Sequence, residues 1–108
     1  MTQDIFSERG PVRIVVIGAG NRANKYLEYA RIHPDRLQPV GIVEINATRM
    51  RHIANEFNID SSHCFSSYHT FFIHPIPADA ILISTPENLH YEPCVEAIEA
   101  GYHVLLEK

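Results

Sequence analysis

Apolar runs alternate with amphipathic stretches along this chain, in the rhythm of strands and helices. Residues 12–17, Val-Arg-Ile-Val-Val-Ile, are apolar at nearly every position, as a parallel strand covered on both faces requires. A helix is expected over 21–33. Asn21 would cap it, Ala23, Leu27 and Ala30 share one face, and Pro34 stops it. Residues 40–43 read as a second strand. In the next stretch, 47–58, Met50, Ile53, Ala54 and Phe57 recur at i, i+3, i+4 and i+7, an amphipathic helical period. A short strand is expected near 63–65, a short helix over 68–73 before Pro75, and an unbroken apolar strand over 80–84. A further helix follows over 92–100, with Pro93 in its first turn and Gly101 at its C-terminal cap. Residues 104–106 make the last strand. Strands alternating with helices predict an α/β fold of Rossmann type, a doubly wound parallel sheet of about five strands.

The bulk numbers narrow the class. The chain has 108 residues, the size of one domain; 1–10 reads as a flexible leader and 11–108 as the folded domain. A net charge of −4 argues against a nucleic-acid partner. It does not oppose an anionic cofactor, which backbone N–H groups and a helix N-terminus can hold. Cys64 and Cys94 stand apart, without zinc or redox spacing, and are expected as free, mostly buried thiols. No apolar run reaches the roughly 20 residues of a membrane span, and the polar start shows no signal peptide. A cytoplasmic location without membrane association follows as the default. His69 and His74 lack the i, i+4 spacing of a helical metal pair, so no metal site is expected.

The candidate chemistry begins where the first strand breaks into Gly18-Ala19-Gly20-Asn21-Arg22-Ala23. This is the G-x-G-x-x-A variant of the fingerprint that seats a dinucleotide diphosphate. Small Ala23 lets the following helix lie close to the strand. Glu44 stands at the end of the second apolar run, roughly 20 residues on, where the fingerprint expects a ribose-binding carboxylate. Such an acid accepts from ribose hydroxyls and repels a 2′-phosphate, which favours NAD over NADP, although Arg49 or Arg51 could reach that phosphate. In a sheet of this kind the ligand lies at the carboxyl ends of the strands, where strand order reverses. That rim would hold Gly18, Ala19, Gly20, Asn21 and Arg22 after the first strand. It would also hold Ser84, Thr85, Pro86, Asn88 and His90 after the fourth, and Glu107 and Lys108 after the fifth. Arg22 either touches phosphate or lies on the wet face of its helix.

Three blocks, IGAGNRA, GIVEINATR and AILISTPENLHYEPCVEAIEAGYHVLLEK, resemble the N-terminal domain of the glucose–fructose oxidoreductase, inositol dehydrogenase and MocA (Gfo/Idh/MocA) family. The last block, with its Thr-Pro…His segment and terminal Glu-Lys, is the most specific. The resemblance implies that Gly18, Gly20 and Arg22 line the cofactor phosphates and that Glu44 holds the adenosine ribose. Thr85, Pro86 and His90 would border the nicotinamide half, with Asn88 nearby. Lys108 matches the lysine of a Glu-Lys-Pro motif that points into the active site, where it would favour a substrate alkoxide. Ala23 departs from the commoner third glycine, and Glu87 stands where Asp or Asn is frequent. The chain stops before the motif's proline, and the substrate domain of the family is absent. The resemblance therefore implies a nucleotide-binding part of an NAD-dependent oxidoreductase acting on a sugar, polyol or related hydroxyl compound, compatible with a homo-oligomer. The part alone is expected to bind NAD weakly and to catalyse nothing. Two alternatives stay open: an NAD-dependent glycoside hydrolase of the same family, and a non-catalytic NAD-binding or redox-sensing module.

Overall fold

The apolar strand runs and the amphipathic helices assemble in the expected alternation. A computed structural model describes residues 10–20, 23–85 and 91–106. Its elements are β1 (Val12–Ile17), α1 (Asn24–Ile32), β2 (Leu37–Val43), α2 (Ala47–Phe57), a 3-10 turn (Ser61–His63), β3 (Cys64–Phe65), α3 (Tyr68–Ile73), β4 (Ala80–Ile83), α4 (Tyr91–Glu99) and β5 (His103–Leu106). The five strands form one sheet in the order β3-β2-β1-β4-β5, and every pairing is parallel.

Alternation along the strands sorts the core into two layers. Ile14, Val16 and Leu82 meet Ala23, Leu27 of α1 and Ile53 of α2 on one face. Val15, Ile17, Ile81 and Ile83 meet Phe71 of α3 and Ala97 of α4 on the other. Both faces are thus covered, which is why β1 and β4 tolerate no polar residue at their centres. The Ala23–Leu27–Ala30 stripe expected of the first helix is buried.

Several boundaries shift. α1 opens at Asn24, and its cap position falls on Ala23 rather than on Asn21, which lies outside the described residues. Ala23 is itself helical (φ −71°, ψ −20°) with no side-chain cap, and its N–H donates to the Gly20 carbonyl at 3.1 Å. At the cap position itself, no side chain closes the first turn of α1. β2 starts three residues before the expected position. Ile14 pairs with Pro39 but Val15 with Gly41, so Val40 is a bulge. The bulge lets Leu37 and Ile42 face the same layer, a spacing that simple alternation forbids. Pro39 lacks an N–H, and β3 pairs only with Ile42 and Val43, so no neighbour on that side needs one. The Val40 carbonyl, pushed out of register, meets His63 Nδ1 at 3.0 Å.

Cys64 and Cys94 are free and half-buried, and burial pushes the Cys64 thiol up. The leader expected over 1–10 falls almost wholly outside the described residues. Among the described residues, no helix is long and apolar enough to cross a membrane.

Candidate functional site

β1 lies between β2 and β4, and the connections after β1 and β4 lead to helices on opposite faces of the sheet. Sheets with such a reversal take their ligand at the carboxyl ends of these strands, in the crevice the reversal leaves. The first residue of the crevice is Gly18, with φ +83°. A Cβ there would lie 2.9 Å from both Thr85 Cγ2 and Thr85 N and 3.1 Å from the Ser84 carbonyl carbon. Only glycine satisfies both the left-handed backbone and the contact with the β4 end. Gly18 N–H donates to the Val43 carbonyl and Ser84 N–H to the Ile17 carbonyl, each at 2.8 Å. These bonds continue the sheet by one rung on either side of β1. Gly20 differs: a Cβ on it would meet nothing within 4 Å among the described residues. The space beside Gly20 is free for a ligand, and α1 presents its N-terminal end to the same rim.

Glu44 follows β2 and is only 5% exposed. One carboxylate oxygen, Oε1, accepts from Ala19 N–H at 2.8 Å, and Oε2 accepts from Asn46 N–H at 2.8 Å. Its own N–H donates to the Phe65 carbonyl at 2.9 Å, which ties the acid to β3. The Arg49 guanidinium lies 3.6 Å from Oε1 and is half exposed, so the buried charge has a cation beside it. Asn46 caps α2 by accepting from Arg49 N–H at 2.9 Å. Between Glu44 and Asn46 stands Ile45, 88% exposed, an apolar side chain flanked by two polar ones.

On the other side of β1, Ser84 is 7% exposed, and its Oγ is buried with no hydrogen-bond partner among the described residues. Further out, Tyr68 Oη donates to Glu92 Oε2 at 2.6 Å, joining the first turns of α3 and α4. That bond, with a smaller contribution from burial, pushes the Tyr68 phenol up to about 12. It fixes the start of α4, the point where the connection from β4 ends.

Of the residues expected at the site, Gly18, Ala19, Gly20, Glu44, Ser84 and Thr85 come together on one rim. Ala19 takes part through its N–H, which is turned to Glu44. Asn21, Arg22, Pro86, Asn88, His90, Glu107 and Lys108 lie outside the described residues. Sequence reasoning passed over Ile45, whose signal was an apolar residue wedged between an acid and a helix cap at a strand end. It also passed over the Tyr68–Glu92 bond, which no local pattern announces.

The tight turn, the space beside Gly20 and the acid within one amide of the turn fit a dinucleotide. Comparison with known proteins points the same way. The chain is 26% identical over 98 residues to D-glucoside 3-dehydrogenase of Escherichia coli (strain K12), a match covering 91% of this chain and 27% of that protein. The structure of the WlbA dehydrogenase from Bordetella pertussis, in complex with NADH and UDP-GlcNAcA, superposes with a TM-score of 0.77 at 25% identity, over 89% of this chain and 28% of that one. Biliverdin reductase from Synechocystis sp. PCC 6803, in complex with biliverdin and NADP+, superposes with a TM-score of 0.71 at 28% identity, over 88% and 28%. The chain spans about a quarter of the length of these relatives. Residues 12–108 match the GFO_IDH_MocA oxidoreductase family, NAD-binding Rossmann fold. With the glycine turn, the acid after β2 and the parallel sheet all inside that match, the chain belongs to the Gfo/Idh/MocA oxidoreductase family and carries its NAD(P)-binding Rossmann domain.

Proposed function

We propose that this chain is the cofactor-binding part of an NAD-dependent oxidoreductase whose substrate is a sugar, polyol or related hydroxyl compound. The observation that carries this reading is the turn at Gly18–Gly20, set at the strand-order switch and bonded to the Glu44 carboxylate. The turn, with Asn21, Arg22 and the N-terminal end of α1, holds the diphosphate. Glu44 accepts from the adenosine ribose, and Ile45 offers an apolar shelf for the adenine. Ser84, Thr85, Pro86, Asn88 and His90 border the nicotinamide half. Lys108, with Glu107 beside it, stands next to the substrate hydroxyl, where its positive charge stabilises the alkoxide as hydride departs. The cofactor supplies the hydride acceptor; the chain's own residues bind, orient and compensate charge.

The buried charge of Glu44 disfavours a 2′-phosphate, and Arg49 is engaged with that same carboxylate. NAD is therefore the preferred cofactor in this reading, although relatives are known with NADH and with NADP+. The substrate class is supported by the D-glucoside and the UDP-sugar named for two relatives. Substrate binding and turnover belong to a second domain beyond this Rossmann unit, since hydride transfer needs both reactants held face to face. The working location is the cytoplasm, and a homo-oligomer is compatible with the fold.

Thermal unfolding with NAD and with NADP tests the assignment, because a ligand that binds only the folded state stabilises it according to its affinity. NAD is expected to raise the melting temperature more than NADP at equal concentration. A larger shift with NADP removes the role given to Glu44. No shift with either removes the cofactor reading.

A further inference from the structure

We propose that Glu44 is also the positioning residue of the diphosphate turn, holding that turn in its binding shape before any cofactor arrives. The inference rests on the reading of the Gly18–Gly20 turn as a diphosphate site. Glu44 Oε1 reaches across 25 positions of chain to Ala19 N–H, while Oε2 takes the N–H of Asn46, two residues on. A single carboxylate thereby joins the turn after β1 to the start of α2. The Glu44 side chain is 4% exposed, so these bonds are sheltered from competing water. Hydrogen bonds to an ionised acceptor are roughly twice as strong as neutral ones.

The turn needs such a hold. It has glycine at two of its first three positions, and glycine loses more conformational freedom on ordering than any other residue. Gly18 is fixed by its own N–H bond to Val43 and by contact with Thr85. Gly20 has no such neighbour among the described residues. Between them, Ala19 N–H is held by Glu44 Oε1 at 2.8 Å. Each carboxylate oxygen accepts one protein N–H and keeps a further lone pair. Glu44 can therefore accept a ribose hydroxyl without letting go of the turn. Binding at the ribose end and at the diphosphate end would then share one side chain.

The variant Glu44→Gln separates the two roles. Glutamine has nearly the same shape but only one accepting oxygen, and its amide N–H2 would face a second donor. Glu44→Gln therefore loses at least one of the two backbone bonds, and any bond to Ala19 that it keeps is to a neutral oxygen, roughly half as strong. Two measurements follow on the wild-type chain and the variant. The first is amide hydrogen exchange by NMR. Ala19 N–H is expected to exchange at least about tenfold faster in the variant, the size of one charge-assisted hydrogen bond, while the amides of β1 keep their protection. The second is binding of inorganic pyrophosphate, which has no ribose. If Glu44 served only the ribose, removing its negative charge would leave pyrophosphate affinity equal or raise it. If Glu44 shapes the turn, affinity falls by about tenfold. The opposite signs make the outcome decisive. Unchanged Ala19 exchange, pyrophosphate affinity that is unchanged or raised in the variant, or no pyrophosphate binding by the wild type overturns the proposal. Failure of the cofactor reading itself looks different, because the wild type would then not bind NAD at all.

Discussion

Replacing Gly18 by alanine and replacing Gly20 by alanine should do opposite things, although the two positions are two residues apart. At Gly18 the new methyl lies 2.9 Å from Thr85 Cγ2 and from the Thr85 backbone nitrogen, at a φ of +83°. The left-handed backbone costs an L-residue about 1–2 kcal/mol. Forcing a methyl against a backbone nitrogen adds about 1–3 kcal/mol, because the β4 end cannot move aside as a long side chain would. The unfolded chain returns only ~0.4–1 kcal/mol through its lost entropy. Gly18→Ala should therefore destabilise by about 1–5 kcal/mol, a fall in melting temperature of roughly 5–35 °C for a domain of this size. At Gly20 the methyl meets nothing within 4 Å among the described residues, so Gly20→Ala should stay within about 0.5 kcal/mol of wild type. Its methyl does enter the space assigned to the diphosphate, and NAD affinity should fall about tenfold or more. Calorimetric or fluorescence melts give the first quantity and titration calorimetry with NAD the second. A Gly18→Ala chain that melts within about 3 °C of wild type would refute the turn geometry. A Gly20→Ala chain that binds NAD as the wild type does would show that the ligand lies elsewhere.

Two further outcomes are expected. Ser84→Ala removes a buried hydroxyl without a partner among the described residues, so the urea midpoint should rise by the equivalent of about 1 kcal/mol while NAD binding weakens; a lower midpoint would show that the hydroxyl is satisfied in the folded chain. The bond from Tyr68 to Glu92 holds the Tyr68 phenol at about 12, above the ordinary value near ~10. Its contribution is fully present below pH ~10 and is lost as pH rises through about 12. Urea midpoints measured from pH ~9 to ~11.5 should therefore fall less steeply for Tyr68→Phe than for wild type, and parallel curves would remove Tyr68 from the alkaline response.

The strand cores were legible because burial on both faces leaves an unbroken apolar run, and Val12–Ile17 is such a run in both sequence and structure. α2 was legible for a different reason: Ile53 is buried, and Met50, Ala54 and Phe57 flank the same core, as the 3.6-residue period demands. The short helix expected over 68–73 is α3, Tyr68–Ile73, opened by Ser67 and stopped before Pro75. β2 was cut short because its lower half runs out of phase. With Val40 bulged, Leu37 and Ile42 share a face, and a reader of alternation sees a break and a proline. The acid of the site could be placed at a strand end, but its partner could not. Ala19 and Glu44 are 25 positions apart, and nothing local marks one amide among the three of a glycine turn. The Tyr68–Glu92 pair, 24 apart, was hidden for the same reason. Ile45 escaped because an exposed isoleucine is ordinary until the polar groups on either side of it are located.

The single extra residue at Val40 makes β2 a strand with a joint in it. Above the joint, Gly41, Ile42 and Val43 keep step with β1 up to the acid; below it, Leu37 and Gln38 keep step with β1 on a phase of their own. Deleting Val40 would leave Leu37, Pro39 and Ile42 on one face by plain alternation and would take away the carbonyl that His63 meets. This residue is therefore a splice point: a chimera can drop it, take an unbulged lower half that alternates without a break, and still deliver Glu44 to Ala19.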